Sequence, residues 1–236
     1  MYSFFLALLL VALCYGLYLW GSIHAAIAKS VQIQARTTAY EQHPTNPSRR
    51  ILVAGDSTAV GVGASLTQDS IAGRIGSDFP EAEITNLGKS GLRLALLKEA
   101  LLARQNERYD LIVLQIGSND ITGRTSYTEI RNTLREILDL ASKMGKKVVV
   151  LTAGNVGLSP VFHPPISWYI THRTRIVREI FIEEVGKHKN ATYIDLFRER
   201  PDEPFNKDIH RYYAPDFFHP SGEGYGLWYL QLREAL

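Results

Sequence analysis

Cysteine is almost absent from this chain of 236 residues, with Cys14 the only one. A lone thiol closes no intramolecular disulfide and builds no thiolate zinc site. An excess of charge of one sign is also missing. The 26 Lys and Arg nearly cancel the 24 Asp and Glu, leaving a net +2, so composition gives no reason to expect a nucleic-acid partner. Low-complexity tracts and internal repeats are missing too. A content of 45% hydrophobic and 21% charged residues excludes a disordered chain, and 18 Gly with 10 Pro exclude collagen. The most informative absence is local. Residues 1–28 contain no Lys, Arg, Asp or Glu, so every such charge falls on residues 29–236.

Tyr2 to Trp20 reads YSFFLALLLVALCYGLYLW. At 1.5 Å per residue these positions span about 30 Å, one bilayer core. Tyr15, Tyr18 and Trp20 gather at the far end, where an interfacial belt of aromatics belongs. A signal peptide is the rival reading. It calls for a shorter apolar stretch with a basic residue before it, and none is present, although Ala26-Ile27-Ala28 passes as a cleavage site. Leu13 stands where a lipobox needs a small residue, so Cys14 reads as a buried apolar side chain. Residues 1–28 are therefore expected to be an anchor or signal segment, giving a membrane-anchored protein, or a secreted one if cleaved. Lys29, Arg36, Arg49 and Arg50 after the segment favour a cytoplasmic domain, and export on a signal anchor is the alternative.

Residues 29–48, with Pro44 and Pro47, read as a tether, and 49–236 as the folded domain. There, short apolar runs alternate with helical patterns. Strands are expected at 51–54, 83–87, 111–116, 147–152 and 192–196. Helices are expected at 68–79, 92–105, 128–143, 167–188 and 221–236. This alternation implies right-handed crossovers and a three-layer α/β/α sandwich with a five-stranded parallel sheet in a flavodoxin-like order.

Ligands of open parallel sheets bind beyond the carboxyl ends of the strands. The residues at those ends are Gly55-Asp56-Ser57, then Asn86 to Gly91 (NLGKSG), then Gly117-Ser118-Asn119-Asp120, and finally Asp216-Phe217-Phe218-His219 before the last helix. In this order the four blocks resemble those of the SGNH hydrolases, the GDSL esterase/lipase superfamily. The resemblance runs from Gly55 to His219. It implies Ser57 as nucleophile, Asp216 and His219 as its triad partners, and an oxyanion hole made by Ser57, Gly91 and Asn119. Gly88 competes with Gly91 for the glycine of the second block. The resemblance implies no metal or organic cofactor.

The chemistry of these residue types agrees. A serine hydroxyl needs an adjacent base to be a nucleophile at neutral pH, and an imidazole suits that task. A carboxylate three residues before the histidine can fix its tautomer. An amide at 119 can donate to an anion, which a carboxylate cannot. Taken singly, each residue has an ordinary structural use. Ser57 suits a turn, Asn119 and Asp216 suit caps, and His219 suits a surface. Asp56 and Asp120 read as loop-holding residues. Position 59 is Ala59, so the G-x-S-x-G elbow is incomplete, and Gly88-Lys89-Ser90 lacks the rest of a P-loop.

Aromatics crowd two expected loops: Phe162 and Trp168 in one, Phe205, Tyr212, Tyr213, Phe217 and Phe218 in the other. They either line an apolar or sugar-stacking pocket or pack the loops down. The expected function is a serine ester hydrolase of esterase/lipase, lysophospholipase or thioesterase type. Alternatives are an O-acetyl esterase acting on envelope polysaccharide and a non-catalytic glycan- or lipid-binding module. The expected partners are a small ester, lipid or acetylated glycan substrate, and a membrane through the N-terminal segment.

Overall fold

The computed structural model describes residues 2–236. In chain order the elements are α1 (Tyr2–Gln34), β1 (Arg49–Gly55), α2 (Ser57–Val60), α3 (Ile71–Asp78), β2 (Ala82–Gly88), α4 (Leu94–Leu102), β3 (Tyr109–Gln115), α5 (Ser118–Thr122), α6 (Tyr127–Met144), β4 (Gly145–Leu151), α7 (Ile166–Val185), β5 (Ala191–Ile194), α8 (Ile209–Tyr212) and α9 (Gly222–Arg233). The five strands pair in parallel in the order β2-β1-β3-β4-β5. This is the flavodoxin-like order, and both faces of the sheet are covered.

Alternation along β1 sorts its side chains between two cores. Leu52 and Ala54 point to the layer of α4, α6 and α7, where Leu97, Leu134 and Val177 pack. Ile51 and Val53 point to α3 and α9, where Ile75, Tyr225 and Trp228 pack. The helices start where the sequence supplies caps. The Ser126 hydroxyl accepts from the Glu129 N–H at the start of α6, and Ile130, Leu134, Ile137, Leu138 and Ala141 then form its buried stripe. Ser70 and Ser221 cap α3 and α9 in the same way.

Two N-terminal expectations are corrected. Cys14 is exposed rather than buried, because residues 2–18 of α1 are all exposed and no core forms around them. The helix also runs past Ala28 to Gln34, so the boundary at 28 falls within it. The segment expected to be a tether is therefore part helix, and its remainder is pinned down. Gln42 exchanges backbone hydrogen bonds with Ile84 of β2, and its side-chain amide donates to the carbonyls of Phe79, Pro80 and Ala82. Those bonds satisfy backbone groups along the β2 edge.

Candidate active site

The sheet order puts the switch point between β1 and β3, because the chain leaves β1 toward β2 on one side and resumes at β3 on the other. Ser57 follows β1 and Asn119 follows β3, so both stand at this crevice. Asp56 joins the two loops. Its carboxylate accepts from the Thr58 N–H and hydroxyl on one oxygen and from the Ser118 hydroxyl, at 2.6 Å, on the other. Burial pushes the Asp56 carboxyl above the usual range, and the Ser118 and Thr58 bonds pull against that rise. Asp120 accepts from the Leu94 N–H at the start of α4, and burial raises its carboxyl too. Both acids hold loops, as their positions imply.

His219 arrives from the opposite end of the sequence. Its Nε2 lies 2.8 Å from the Ser57 Oγ, and its Nδ1 lies 2.6 Å from an Asp216 carboxylate oxygen. All three residues are buried. The other Asp216 oxygen accepts from the backbone N–H groups of Phe218 and His219. Burial alone would raise the Asp216 carboxyl, but the His219 ring and these N–H groups hold it below its ordinary value. The loop is held as well. Phe217 sits at φ 55°, in the left-handed region, and its carbonyl accepts from the Ser159 hydroxyl at 2.7 Å. The Phe218 ring meets the His219 ring edge-to-face with centroids 5.2 Å apart.

A cavity of ≈ 460 Å³ opens over Ser57 and His219, and Gly91 and Asn119 also line it. This volume lies in the usual range for small-molecule sites. Asn119 spends one amide hydrogen on the Leu92 carbonyl at 3.0 Å, which fixes the side chain and leaves its second N–H to donate. Gly91 has φ +78°, and a Cβ built there would meet nothing within 4 Å. The left-handed backbone conformation is thus what calls for glycine here. Gly88 is different. A Cβ there would come within 2.6 Å of the Val60 nitrogen, and the residue does not line the cavity.

The aromatics divide. Phe162 and Phe218 line the large cavity, whereas Phe205 stacks with Tyr212 and Trp228, meets Tyr213 edge-to-face, and packs its loop down. Sequence reasoning missed Arg173. This buried side chain donates to the carbonyls of Ile121, Asp120 and Thr125 and lies over the Tyr127 ring, so it clamps the end of the α5 turn that carries Asn119. A single arginine in a helical pattern carries no signal of such use.

Solved structures share this architecture. A member of the lipolytic protein G-D-S-L family from Veillonella parvula DSM 2008 aligns with TM-score 0.63 and 19% identity over 79% of this chain and 97% of its own. The lipase Lip_vut3 from a goat rumen metagenome gives 0.57 and 20% over 79% and 96%. The acetylxylan esterase Axe2 from Geobacillus stearothermophilus gives 0.54 and 21% over 82% and 96%. At these identities the likeness speaks for the fold. No curated protein matches the chain. Residues 53–227, which run from β1 into α9 and include every block at the strand ends, match the sequence model of the GDSL-like Lipase/Acylhydrolase family, so the chain belongs to that family of the SGNH hydrolases and is an ester-hydrolysing enzyme.

Proposed function

We propose that the protein cleaves carboxylic esters through an acyl-enzyme formed on Ser57, anchored to a membrane by α1. The observation that carries this reading is the unbroken chain from the Ser57 Oγ through the His219 ring to the Asp216 carboxylate, at 2.8 and 2.6 Å, opening into the large cavity. The Ser57 oxygen attacks the acyl carbon as His219 Nε2 takes its proton. Asp216 holds the Nδ1–H and stabilises the imidazolium that forms. Negative charge builds on the former carbonyl oxygen, within reach of the Ser57 and Gly91 N–H groups and the Asn119 amide. Collapse breaks the bond to the alcohol oxygen, which takes the proton from His219. Water then attacks the acyl group on Ser57 with His219 again as base, releasing the acid and restoring the serine.

Anchoring rests on α1. Its apolar 18-residue stretch has a mean hydropathy of 2.1 and is 6% buried. The helix continues unbroken through Ala26-Ile27-Ala28, and Ala26 and Ile27 line the cavity, so cleavage there would remove part of its wall. A second reading, an O-acetyl esterase, is favoured by a smaller cavity of ≈ 40 Å³ that also touches Ser57 and His219 and suits a short acyl group. The expected result that tests the ester-hydrolase reading is release of nitrophenol from p-nitrophenyl acetate, with one equivalent of a fluorophosphonate consumed at Ser57. A chain that turns over no ester and resists the phosphonate is a binding module instead. For the oxyanion hole, Asn119→Ala should lower kcat by about 10²–10³ with little change in KM, since the amide acts mainly when charge develops. A comparable rise in KM with kcat intact would place Asn119 in ground-state binding.

A further inference from the structure

The catalytic mechanism gives α1 no task beyond anchoring, yet the helix changes character at Leu19. Residues 2–18 are exposed on every side. From Leu19 onward, positions 19, 22, 23, 26, 30, 33 and 34 are buried or half-buried, a helical stripe turned toward the rest of the protein. A helix of 33 residues is about 50 Å long, well beyond the roughly 30 Å of a bilayer core, so its last turns stand outside the apolar layer. Those turns supply Ile23, Ala26, Ile27, Ser30, Val31 and Gln34 to the same ≈ 460 Å³ cavity that holds Ser57, Gly91, Asn119 and His219.

The cavity wall is graded along the helix. Nearer the apolar stretch the helix contributes Ile23, Ala26 and Ile27, and Val161 and Phe162 of the loop before α7 add further apolar groups to the lining. Toward its C-terminal end the helix contributes Ser30 and Gln34, bonded to each other at 2.8 Å, and Ser90 and Thr122 add further polar groups to the lining. From position 23 to 34 is about 16 Å along the axis. The loop before α7 also reaches down α1. The Tyr15 hydroxyl donates to the Pro164 carbonyl at 2.6 Å, and the Tyr18 hydroxyl lies 3.3 Å from the His163 Nε2. Just beyond, Trp168 is 68% and Tyr169 47% exposed, while Trp20 on α1 is 65% exposed. Exposed Trp and Tyr side chains are the residue types that gather at a membrane–water interface.

We infer that α1 is a wall of the acyl-binding site, and that the site takes an amphiphilic, long-chain ester from the membrane, its carbonyl at Ser57 and its chain along Ile23, Ala26 and Ile27 toward the apolar stretch. This substrate class rests on the esterase reading above. The polar end of the cavity then receives the alcohol half. Burial of each additional methylene against this wall is worth about fourfold in binding.

The test uses the full chain in phospholipid nanodiscs. Wild type should show a higher kcat/KM on p-nitrophenyl dodecanoate than on the acetate. Ala26→Trp, which fills the apolar end of the cavity, should cut the dodecanoate value by about tenfold or more, as expected for two methylenes displaced, and the acetate value by less than about threefold. An unchanged ratio overturns the proposal, as does an acetylated xylo-oligosaccharide that is cleaved faster than the dodecanoate and is indifferent to Ala26→Trp. A second arm does not depend on turnover. The Ser57→Ala protein is irradiated with a dodecanoyl ester carrying a diazirine at its chain end, and crosslinks are mapped by mass spectrometry. Adducts on residues 23–27 that unlabelled ester competes away support the wall. Adducts confined to residues 2–18, or not competed, overturn it. Absent phosphonate labelling of wild type would instead mark failure of the esterase reading, and the crosslinks would still decide where the chain lies.

Discussion

Ser57→Ala lowers kcat/KM on a short-chain nitrophenyl ester by about 10⁵–10⁶, the scale on which loss of a triad nucleophile acts. The size follows from the geometry. Among the described residues, the Ser57 Oγ is the only hydrogen-bond partner of the His219 Nε2. What remains in the variant is the oxyanion hole and the cavity, which together leave about 10³–10⁴ over water. His219→Ala should fall about as far, and the double variant no further, because the two side chains act as one unit. The fold should survive. The Asp56 bridge to Thr58 and Ser118 that holds the α2 turn does not use the Ser57 hydroxyl, so circular dichroism and Tm should stay close to wild type. A loss of under a hundredfold would mean that another group attacks the ester, and phosphonate labelling of the variant would identify it.

The same geometry explains which parts of the molecule were readable in the sequence. Strands were legible because a parallel sheet buried on both faces demands runs such as LIVL at 111–114, which no surface element tolerates. Ser57, Asn119, Asp216 and His219 were legible because each follows a strand end or precedes a capped helix, where chemistry collects. Cys14 reads as buried because it lies in an apolar run with no lipobox before it, but an apolar run shows only what its side chains are, not that the folded chain covers them. The end of α1 was misplaced for a related reason. Lys29 looks like the edge of a membrane segment, but a charge ends only apolarity, and Ser30 to Gln34 carry nothing that breaks a helix. Gln42 and Arg173 were invisible for a third reason. Their partners are backbone carbonyls, and every sequence has carbonyls everywhere.

Asp216→Asn should lower kcat by about 10⁴ while KM moves little. The argument is one of tautomers. One Asp216 oxygen is held by the Phe218 and His219 N–H groups, and both are donors. In the variant only the amide oxygen can satisfy them, so the amide nitrogen turns to face His219 Nδ1. That nitrogen must then accept, and the ring proton moves to Nε2, opposite the Ser57 Oγ. An imidazole protonated there cannot take the serine's proton, although every heavy atom stays in place. The carboxylate's depressed pKa adds a second readout. A carboxyl whose folded value lies below its unfolded value, about 3.9, stabilises the fold above that pH and loses the contribution as pH falls through the folded value. Wild type should therefore melt above Asp216→Asn at neutral pH, and the gap in Tm should close as the solution is taken below pH of about 4. An activity loss of under tenfold with the gap in Tm preserved would make Asp216 a loop tie alone, leaving His219 oriented by its packing against Phe218.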